Sequence, residues 1–410
     1  ILQHTKNPDK FIALLLSYPL QRLVDACDVS LKEVKQLFEI YAGDKPVASV
    51  VGSGLQRYSY GGENVRFINA LAMISGNIGI SGGGSYFHLH SYRNLNLNWL
   101  EPEKRQPRRS FPLCTIGKDI LAAADPAVKM IWVNCINIVN QAPDSQRIIR
   151  AFEGVEFKVV VDAFWNDTAQ QADLVLPAKL MLEQEDIIGS FLHEYVHYVA
   201  QIIEAPGQAR DDYWILSELG KRLEPPIRLP AKNTALRSAL KSAYIDTSLE
   251  QLRRQKCVCA ERPGIAYEGL QFNHHDKKYR FPAMLHAEPM PPPEYPLRLL
   301  TLVRRGAQHS QILPNRRKKS PDVWIAPDCP ALADLDLSKA VVLISPLGCL
   351  KVTVYTLPGL YPEAVLYRRG DWINQGGGAN QLIEANPTDI GSGAAFYHQF
   401  VNLENVKETS

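Results

Sequence analysis

The stretch that decides the fold is VKMIWVNCINIVNQAPDSQRIIRAFEGVEFKVVVDAFW, residues 128–165. It opens with an apolar run that predicts a strand, passes through a polar loop over 134–144, and then places Ile148, Ile149 and Phe152 at helical spacing. A second apolar run, FKVVV at 157–161, follows this helix and ends at Asp162. Continuous apolar strands that alternate with helices are typical of a parallel sheet covered on both faces. The pattern therefore predicts an α/β fold.

The same order of elements occurs upstream, and a different one occurs downstream. Residues 46–51, PVASVV, form a β-branched run that stops at a glycine turn, and residues 63–74 then carry apolar side chains at helical spacing. Beyond the proline-rich stretch PMPPPEYP at 289–296, short apolar runs are separated by Pro and Gly, which predicts a β-barrel. We predict four segments: a first α/β unit over 1–112, a second, dinucleotide-binding α/β unit over 113–230, a linker region over 231–296, and a barrel of the six-stranded type over 297–410.

Charge and composition limit the partners. Lys and Arg number 45 against 43 Asp and Glu, a formal net charge of +2, which does not favour a nucleic acid or an acidic membrane surface as the partner. No apolar run approaches the roughly 18 to 20 residues of a membrane span, so we expect a soluble chain without membrane insertion. Its seven scattered cysteines are an odd number and predict free thiols rather than a disulfide framework.

Two glycine-rich turns are candidates for ligand binding. Gly52 and Gly54 follow a predicted strand, where glycines let the backbone approach a phosphate at a helix N-terminus, although a structural turn would explain them equally well. Residues 76–84, GNIGISGGG, follow a predicted helix. A helix C-cap accounts for one or two of these glycines, but three in a row, Gly82 to Gly84, favour a loop that lies against something flat or anionic.

Polar residues stand where two predicted strands end. Asn134 and Asn137 follow one strand, and Asp162 ends the next. In open α/β sheets, nucleotides bind in the crevice outside the carboxyl ends of the strands, and an acidic residue there can accept hydrogen bonds from ribose or a guanine edge. Loop capping is the alternative, and the residues alone do not decide between the two.

The segment HEYVH, residues 193–197, matches H-E-x-x-H, which on a helix would place His193 and His197 on one face for zinc with Glu194 as general base. Glu218 could then be a third ligand. However, Tyr195 and Val196 favour a strand, in which the helical spacing that the zinc site needs does not exist.

The order of these blocks resembles the molybdopterin oxidoreductase family, also called the dimethyl sulfoxide reductase family. The resemblance covers nearly the whole chain and is weakest over 232–296. It rests most on the run from Asp162 through Ala172-Asp173 and Leu176-Pro177-Ala178 to Glu183. The matching blocks are SVVGSGLQR (49–57), GGENVRFINALAMISGNIGISGGG (61–84), VNCINIVNQAPD (133–144), VVVDAFWNDTAQQADLVLPAKLMLEQED (159–186) and APGQARDDYWILSELGKRL (205–223).

The resemblance implies two molybdopterin guanine dinucleotides that hold molybdenum or tungsten, one on each α/β unit, with the barrel closing over both. Three groups of residues are implied to bind them. Those near one pterin or its phosphates are Gly52, Gly54, Gly82, Gly83 and Gly84; those at the guanosine end of the other are Asn137, Asp162 and Asp173; those that bind pterin edges and phosphates from the barrel are Arg305, His309, Ser310 and Asn380.

The catalytic residues stay unidentified, because family members usually carry an iron-sulfur cysteine cluster and a protein ligand to the metal ahead of the part that corresponds to this chain. No four-cysteine cluster occurs here, and Cys257-Val258-Cys259 is interpreted as structural. The resemblance thus implies that an N-terminal segment or a partner subunit supplies the iron-sulfur cluster and the metal ligand.

The favoured hypothesis is the cofactor-binding portion of an enzyme for two-electron oxygen-atom or hydride transfer. It implies a small-molecule substrate and an electron-transfer partner, and it predicts that this chain alone is inactive. Two alternatives are a cofactor-free structural subunit of an electron-transfer complex and, through HEYVH, a zinc peptidase.

Overall fold

The structure is a computed structural model that describes residues 1–88, 90, 92–100, 107–312, 314–316 and 320–406. The chain divides into two compact units. Unit 1 comprises residues 1–88, 261–288 and 388–391, and unit 2 comprises 89–260, 289–387 and 392–410. Within the described ranges, no helix is both long and apolar enough to cross a membrane. The four predicted segment boundaries stay a prediction.

The described residues form ten α-helices and sixteen strands. The helices are α1 (Pro8–Leu16), α2 (Leu20–Ala26), α3 (Leu31–Ala42), α4 (Gly61–Ile74), α5 (Ile116–Ala122), α6 (Ile138–Gln141), α7 (Ser145–Glu153), α8 (Asp212–Lys221), α9 (Lys232–Leu240) and α10 (Leu249–Gln255). The strands are β1 (Thr5–Lys6), β2 (Ala48–Val50), β3 (Gly84–Tyr86), β4 (Met130–Asn134), β5 (Phe157–Asp162), β6 (Leu174–Pro177), β7 (Asp186–Ile188), β8 (Tyr195–Val199), β9 (Cys257–Cys259), β10 (Tyr279–Arg280), β11 (Leu297–Leu302), β12 (Asp322–Ile325), β13 (Val341–Ser345), β14 (Gly348–Thr356), β15 (Ala364–Arg368) and β16 (Phe400–Asn405).

Unit 1 contains the predicted strand, glycine turn and helix. Strand β2 pairs in parallel with β3, and α4 is the helix between them. The first turn of α4 is capped from a distant part of the chain, since the Asp389 carboxylate accepts hydrogen bonds from the N–H groups of Gly62 at 2.9 Å and Glu63 at 2.7 Å. Buried residues of α4 pack on an aromatic core in which the Phe11 and Phe281 rings stack with centroids 4.3 Å apart.

Unit 2 contains the predicted parallel sheet, in the order β4-β5-β6. Strand β5 is the central strand, and its residues Val159, Val160 and Val161 are buried. Helix α7 begins where the Asp144 carboxylate accepts a hydrogen bond from the N–H of Arg147, and it packs its buried Ile148 and Phe152 against the sheet. The predicted α/β class is confirmed.

The segment predicted as a linker, 231–296, is more structured than predicted. Helices α9 and α10 bury Leu236, Leu240, Leu249 and Leu252 in a core shared with the antiparallel sheet β7-β8-β9. These helices are 9 and 7 residues long, too short for a periodic pattern to stand out in the sequence. Residues 261–288 belong to unit 1 instead.

The last third of the chain forms a closed six-stranded barrel, β11-β15-β12-β14-β13-β16. Its core follows the two-residue alternation of the strands, and in β11 the side chains of Leu297, Leu299 and Thr301 are buried. The predicted barrel is confirmed. Its sixth strand, β16, was not predicted individually, because FVNLEN interrupts its apolar residues with two Asn and one Glu.

The barrel core generates a stability prediction. Leu343 in β13 is fully buried, so Leu343→Ala should lower the free energy of unfolding by about 2–5 kcal/mol through lost contacts and a cavity. Urea unfolding followed by circular dichroism measures the change. The matched variant Leu337→Ala, at a position 49% exposed, should stay within about 0.5 kcal/mol of the parent, and equal effects of the two substitutions would contradict the assigned core.

Candidate functional site

The carboxyl ends of β4 and β5 open on a cavity of about 420 Å³ in unit 2. Its walls come from the loops that follow β4, β5 and β6, from the start of α8, and from two barrel loops. We call it the strand-end cavity; its polar lining residues are Cys135, Asn137, Gln141, Asp162, Asn166, Lys179, Asp212, Ser310 and Gln311. This is the place where α/β sheets bind nucleotides.

Asn137 and Ser310, both predicted site residues, meet at this cavity although they lie 173 positions apart. The Asn137 side chain is buried and donates to Ser310 Oγ at 3.4 Å, and Gln141 Nε2 donates to the same oxygen at 3.0 Å. Asn137 Oδ1 accepts hydrogen bonds from Thr168 N–H at 3.1 Å and Thr168 Oγ at 2.7 Å. The amide is therefore held in one orientation by partners on both sides.

Asp162 both caps its loop and lines the cavity. Its Oδ1 accepts the N–H of Phe164 at 2.9 Å, and its Oδ2 accepts the side-chain amide of Asn166 at 2.7 Å. The capping alternative is thus realised. Each carboxylate oxygen can accept more than one hydrogen bond, so the group can still accept one from a ligand in the cavity.

A buried polar junction joins the sheet to the barrel, and we call it the seam: Asn140, Asp167, Asn380 and the backbone of 371–374. The Asp167 carboxylate accepts the N–H groups of Ile373 and Asn374, both at 3.0 Å, and the amide of Asn140 at 3.1 Å. Asn140 also donates to the Asp371 carbonyl at 2.7 Å, and Asn380 Nδ2 donates to the Asn140 carbonyl at 2.6 Å. Asn380, predicted to bind the cofactor, is here a residue that joins two parts of unit 2.

Arg305 lies in a second, cationic pocket of about 310 Å³, lined by Arg304, Arg305, Arg316 and Arg368 together with Ala307 and Ile312. We call it the arginine pocket. Ile312 lines this pocket and the strand-end cavity. Arg304 forms an ion pair with the buried Asp371, whose carboxyl pKa is raised by burial while the guanidinium opposes that shift. No carboxylate is among the described residues that line the pocket, which suits an anion such as phosphate.

His309 and Asp173 do not line either site. His309 has a left-handed φ of 48°. Its carbonyl oxygen lies so close to Gly370 that a Cβ on residue 370 would overlap this oxygen. Asp173 precedes β6, at the opposite end of the sheet from Asp162. Its carboxylate accepts from Lys158 N–H at 2.7 Å and Nζ at 2.9 Å, which lowers the pKa of Asp173. This places Asp173 in an ion pair rather than in the strand-end cavity.

The glycine positions of unit 1 differ in whether backbone conformation or packing requires a glycine there. Gly52 and Gly54 are exposed, and a Cβ at either position would meet open space. Gly82 and Gly84 have φ of 77° and 131°, and a Cβ at Gly83 would overlap the Asn77 carbonyl. Backbone conformation and packing therefore explain the three consecutive glycines without a ligand, although Gly83 and Gly84 also line a cavity of unit 1.

The HEYVH segment is not a helix: residues 193–194 precede strand β8, and residues 195–197 are its first three residues. His193 and His197 have ring centroids 5.5 Å apart, and His193 Nδ1 accepts the N–H of Tyr195 at 3.2 Å. Across the part of the chain that the structure describes, no group of three or more His, Cys, Asp or Glu is arranged to hold a metal ion. The zinc-peptidase alternative loses its support, because its two histidines need the spacing of a helix.

Sequence reasoning missed Asn140, Asp167 and the arginine pocket. Asp167 lies within the run that carries the family resemblance, but nothing local shows that its partners are backbone groups 206 and 207 positions away. Arg304 and Arg305 likewise come to line one pocket with Arg316 and Arg368 only when the barrel closes. Long-range pairing of this kind has no signal in one sequence.

Comparison with known proteins gives consistent matches. The model of the molybdopterin oxidoreductase family matches residues 24–222. The chain is 31% identical over 432 residues to the probable oxidoreductase YyaE of Bacillus subtilis, covering 98% of this chain and 64% of that protein. It is 27% identical over 224 residues to the probable dimethyl sulfoxide reductase YnfF of Escherichia coli, covering 48% of this chain and 27% of that protein. These curated relatives are longer, and the chain spans less than two thirds of each.

The fold is similar to that of acetylene hydratase from Pelobacter acetylenicus. The TM-score is 0.60 at 15% sequence identity, and the match covers 72% of this chain and 46% of that chain. At this identity the likeness shows the fold: mixed α/β with parallel sheets and a closed six-stranded barrel.

Cys135 provides a probe of the strand-end cavity. Burial raises the pKa of its thiol, and the negative charge of Asp212 raises it further. Asp212→Asn should therefore increase the thiolate fraction at pH 7.5 and speed alkylation of Cys135 by iodoacetamide about two- to fivefold. Mass spectrometry of the modified peptide measures the rate, with Cys349, exposed in the β13–β14 hairpin, as internal control. An unchanged Cys135 rate would contradict the described effect of the Asp212 charge on the Cys135 thiol.

Proposed function

The chain belongs to the molybdopterin oxidoreductase family, and we propose that it is the cofactor-binding portion of a molybdenum or tungsten enzyme for two-electron oxygen-atom or hydride transfer. Members of this family bind molybdopterin cofactors. The main support for the proposal is that a nucleotide-sized cavity at the strand ends adjoins a pocket lined by four arginines.

The donor set of these two sites fits a guanine dinucleotide. Guanine and ribose need a hydrogen-bond acceptor and neutral donors, which Asp162 and Gln141 supply in the strand-end cavity. A diphosphate needs cations, which Lys179 supplies in the strand-end cavity and Arg305 in the arginine pocket. The proposal assigns the guanosine end to Asn137 and Asp162 and the phosphates to Arg305, with Ser310 between them.

A second dinucleotide is proposed for unit 1, at the turn containing Gly52 and Gly54. The open space beside both glycines supports this assignment, since a ligand could approach the backbone there. For Gly82 to Gly84, His309 and Asn380, cofactor binding stays a prediction. Their observed backbone conformations and contacts support a role in shaping their loops. For Asp173, the ion pair with Lys158 favours a structural role.

The cofactor and the residues of this chain have different proposed roles. When bound, the cofactor supplies the dithiolene sulfurs and the metal that exchanges two electrons. The residues of this chain would bind and orient it: the arginine pocket would neutralise the phosphates, and the buried amide of Asn137 holds Ser310 in place. The proposal places the protein ligand to the metal, the iron-sulfur cluster and the electron-transfer partner outside these 410 residues.

The guanosine assignment is tested by Asp162→Ala. Loss of the carboxylate should lower the guanine dinucleotide that copurifies with the chain by at least about fivefold, since an acceptor and the loop that it caps are both lost. The variant should stay cooperatively folded, at a cost of about 1 kcal/mol. Guanine released by acid hydrolysis is quantified by chromatography, with the exposed Asp328→Ala as control. Parental guanine content in Asp162→Ala would sink the assignment, and absence of guanine from the parent chain would favour the cofactor-free subunit.

The location of the metal ligand is tested by turnover. The 410-residue chain, loaded with cofactor, should show no reduction of sulfoxides or nitrate and no oxidation of formate with artificial electron carriers, because its seven cysteines form no four-cysteine cluster and the protein ligand to the metal is proposed to lie outside this chain. The same chain joined to the N-terminal part of a longer relative is the comparison. Robust turnover by the chain alone would show that the metal ligand lies within it.

A further inference from the structure

Unit 1 contains a cavity of about 440 Å³ that is separate from the strand-end cavity and the arginine pocket. Its walls are β3, the end of the loop before β3, and the segment 266–279 that returns to this unit late in the chain. The volume is in the range of small-molecule sites. Its lining differs from that of a phosphate site, because no Lys, Arg, Asp or Glu is among the described residues that line it.

Aromatic rings form a large part of the walls and contact one another. The Tyr267 and Phe272 rings stack with centroids 5.1 Å apart, and Tyr279 meets Phe272 edge-on at 5.4 Å. Tyr86 also lines the cavity and donates its hydroxyl hydrogen to the Gly83 carbonyl at 2.6 Å. Such walls favour a planar ligand that stacks on them or meets them edge-on.

The polar side chains of the lining are the amides of Asn69 and Asn273, the imidazole of His274 and the hydroxyls of Ser85, Tyr86, Tyr267 and Tyr279. Ser85 Oγ is buried and has no hydrogen-bond partner among the described residues, and Ser85 lines the cavity. Buried hydroxyls are normally hydrogen-bonded, so this one calls for a partner that the folded chain does not supply. Burial raises the pKa of Tyr279 to about 12, so its phenol stays neutral at physiological pH.

Glycine at position 79 lets two segments of the cavity wall pack closely. A Cβ at Gly79 would approach the Tyr267 carbonyl to 2.7 Å, so the loop before β3 can lie against the 266–279 segment only with glycine there. Gly79 has a φ of 78°, which also favours glycine. Close backbone packing at Gly79 therefore fixes one part of the wall, and the aromatic side chains form the rest.

We propose that this cavity binds an uncharged, planar aromatic or heteroaromatic molecule that carries one hydrogen-bonding group directed at Ser85 Oγ. No Lys, Arg, Asp or Glu is among the described lining residues, which disfavours an anion or cation, since a desolvated charge would have no permanent counter-charge. The stacked aromatic walls supply the contact area, and the unpartnered hydroxyl supplies orientation. The site lies wholly in unit 1 and uses no residue of the strand-end cavity or the arginine pocket.

Indole is a suitable probe, because it is planar and uncharged and carries one N–H donor. Calorimetric titration of the full 410-residue chain should show saturable one-to-one binding of indole and at least about tenfold weaker binding of indole-2-carboxylate. Ser85→Ala should weaken indole binding about tenfold but leave the binding of 1-methylindole, which lacks the donor, unchanged. Ala266→Phe, at an exposed lining position, should abolish binding of both by filling the cavity.

Ser81→Ala, at an exposed serine outside the cavity, is the matched control and should bind indole like the parent. Thermal unfolding establishes that each variant is folded, and the guanine assay on Ser85→Ala keeps this test separate from the proposed function. The proposal is overturned by a folded parent chain without saturable indole binding. It is equally overturned by unchanged indole affinity in both Ser85→Ala and Ala266→Phe.

Discussion

The buried carboxylate of Asp167 is the interaction on which the site in unit 2 depends. Its side chain is 3% exposed, and a buried carboxylate is costly unless hydrogen bonds compensate for its lost hydration. Here three donors compensate: the N–H groups of Ile373 and Asn374 from a barrel loop and the amide of Asn140 from the sheet side. Because these donors come from both substructures, the carboxylate can be satisfied only when the barrel loop lies against the strand ends.

The rest of the site follows from that constraint. With the 371–374 loop fixed, Trp372 Nε1 donates to the Ser310 carbonyl at 2.8 Å, which holds the 310–312 loop over Asn137. The same loop brings Ile312 between the strand-end cavity and the arginine pocket. The neutral hydrogen-bonding groups of the strand-end cavity thus lie next to the cations of the arginine pocket. A nucleoside diphosphate ligand requires this arrangement.

Local pattern was sufficient to predict the α/β class, the strands β4 and β5, and the barrel, because each depends on apolar periodicity and on the residues that end a strand. The sequence also placed Asn137 and Asp162 at the ends of two strands, and both line the strand-end cavity. The sequence did not reveal α9 and α10, whose apolar patterns are short. It did not separate Asp173, which precedes its strand, from Asp162, which ends one, and it had no signal for Asp167, whose partners lie in the barrel.

The most direct test of the central claim is the guanine content of Asp167→Ala, measured on folded, purified chain beside the exposed control Asp334→Ala. Asp167 does not line the strand-end cavity or the arginine pocket, so its removal acts only through the seam. The account predicts that the variant remains folded but loses most of its guanine dinucleotide, because the barrel loop no longer holds Ser310 at the strand ends. A folded Asp167→Ala chain with the guanine content of the parent would contradict it.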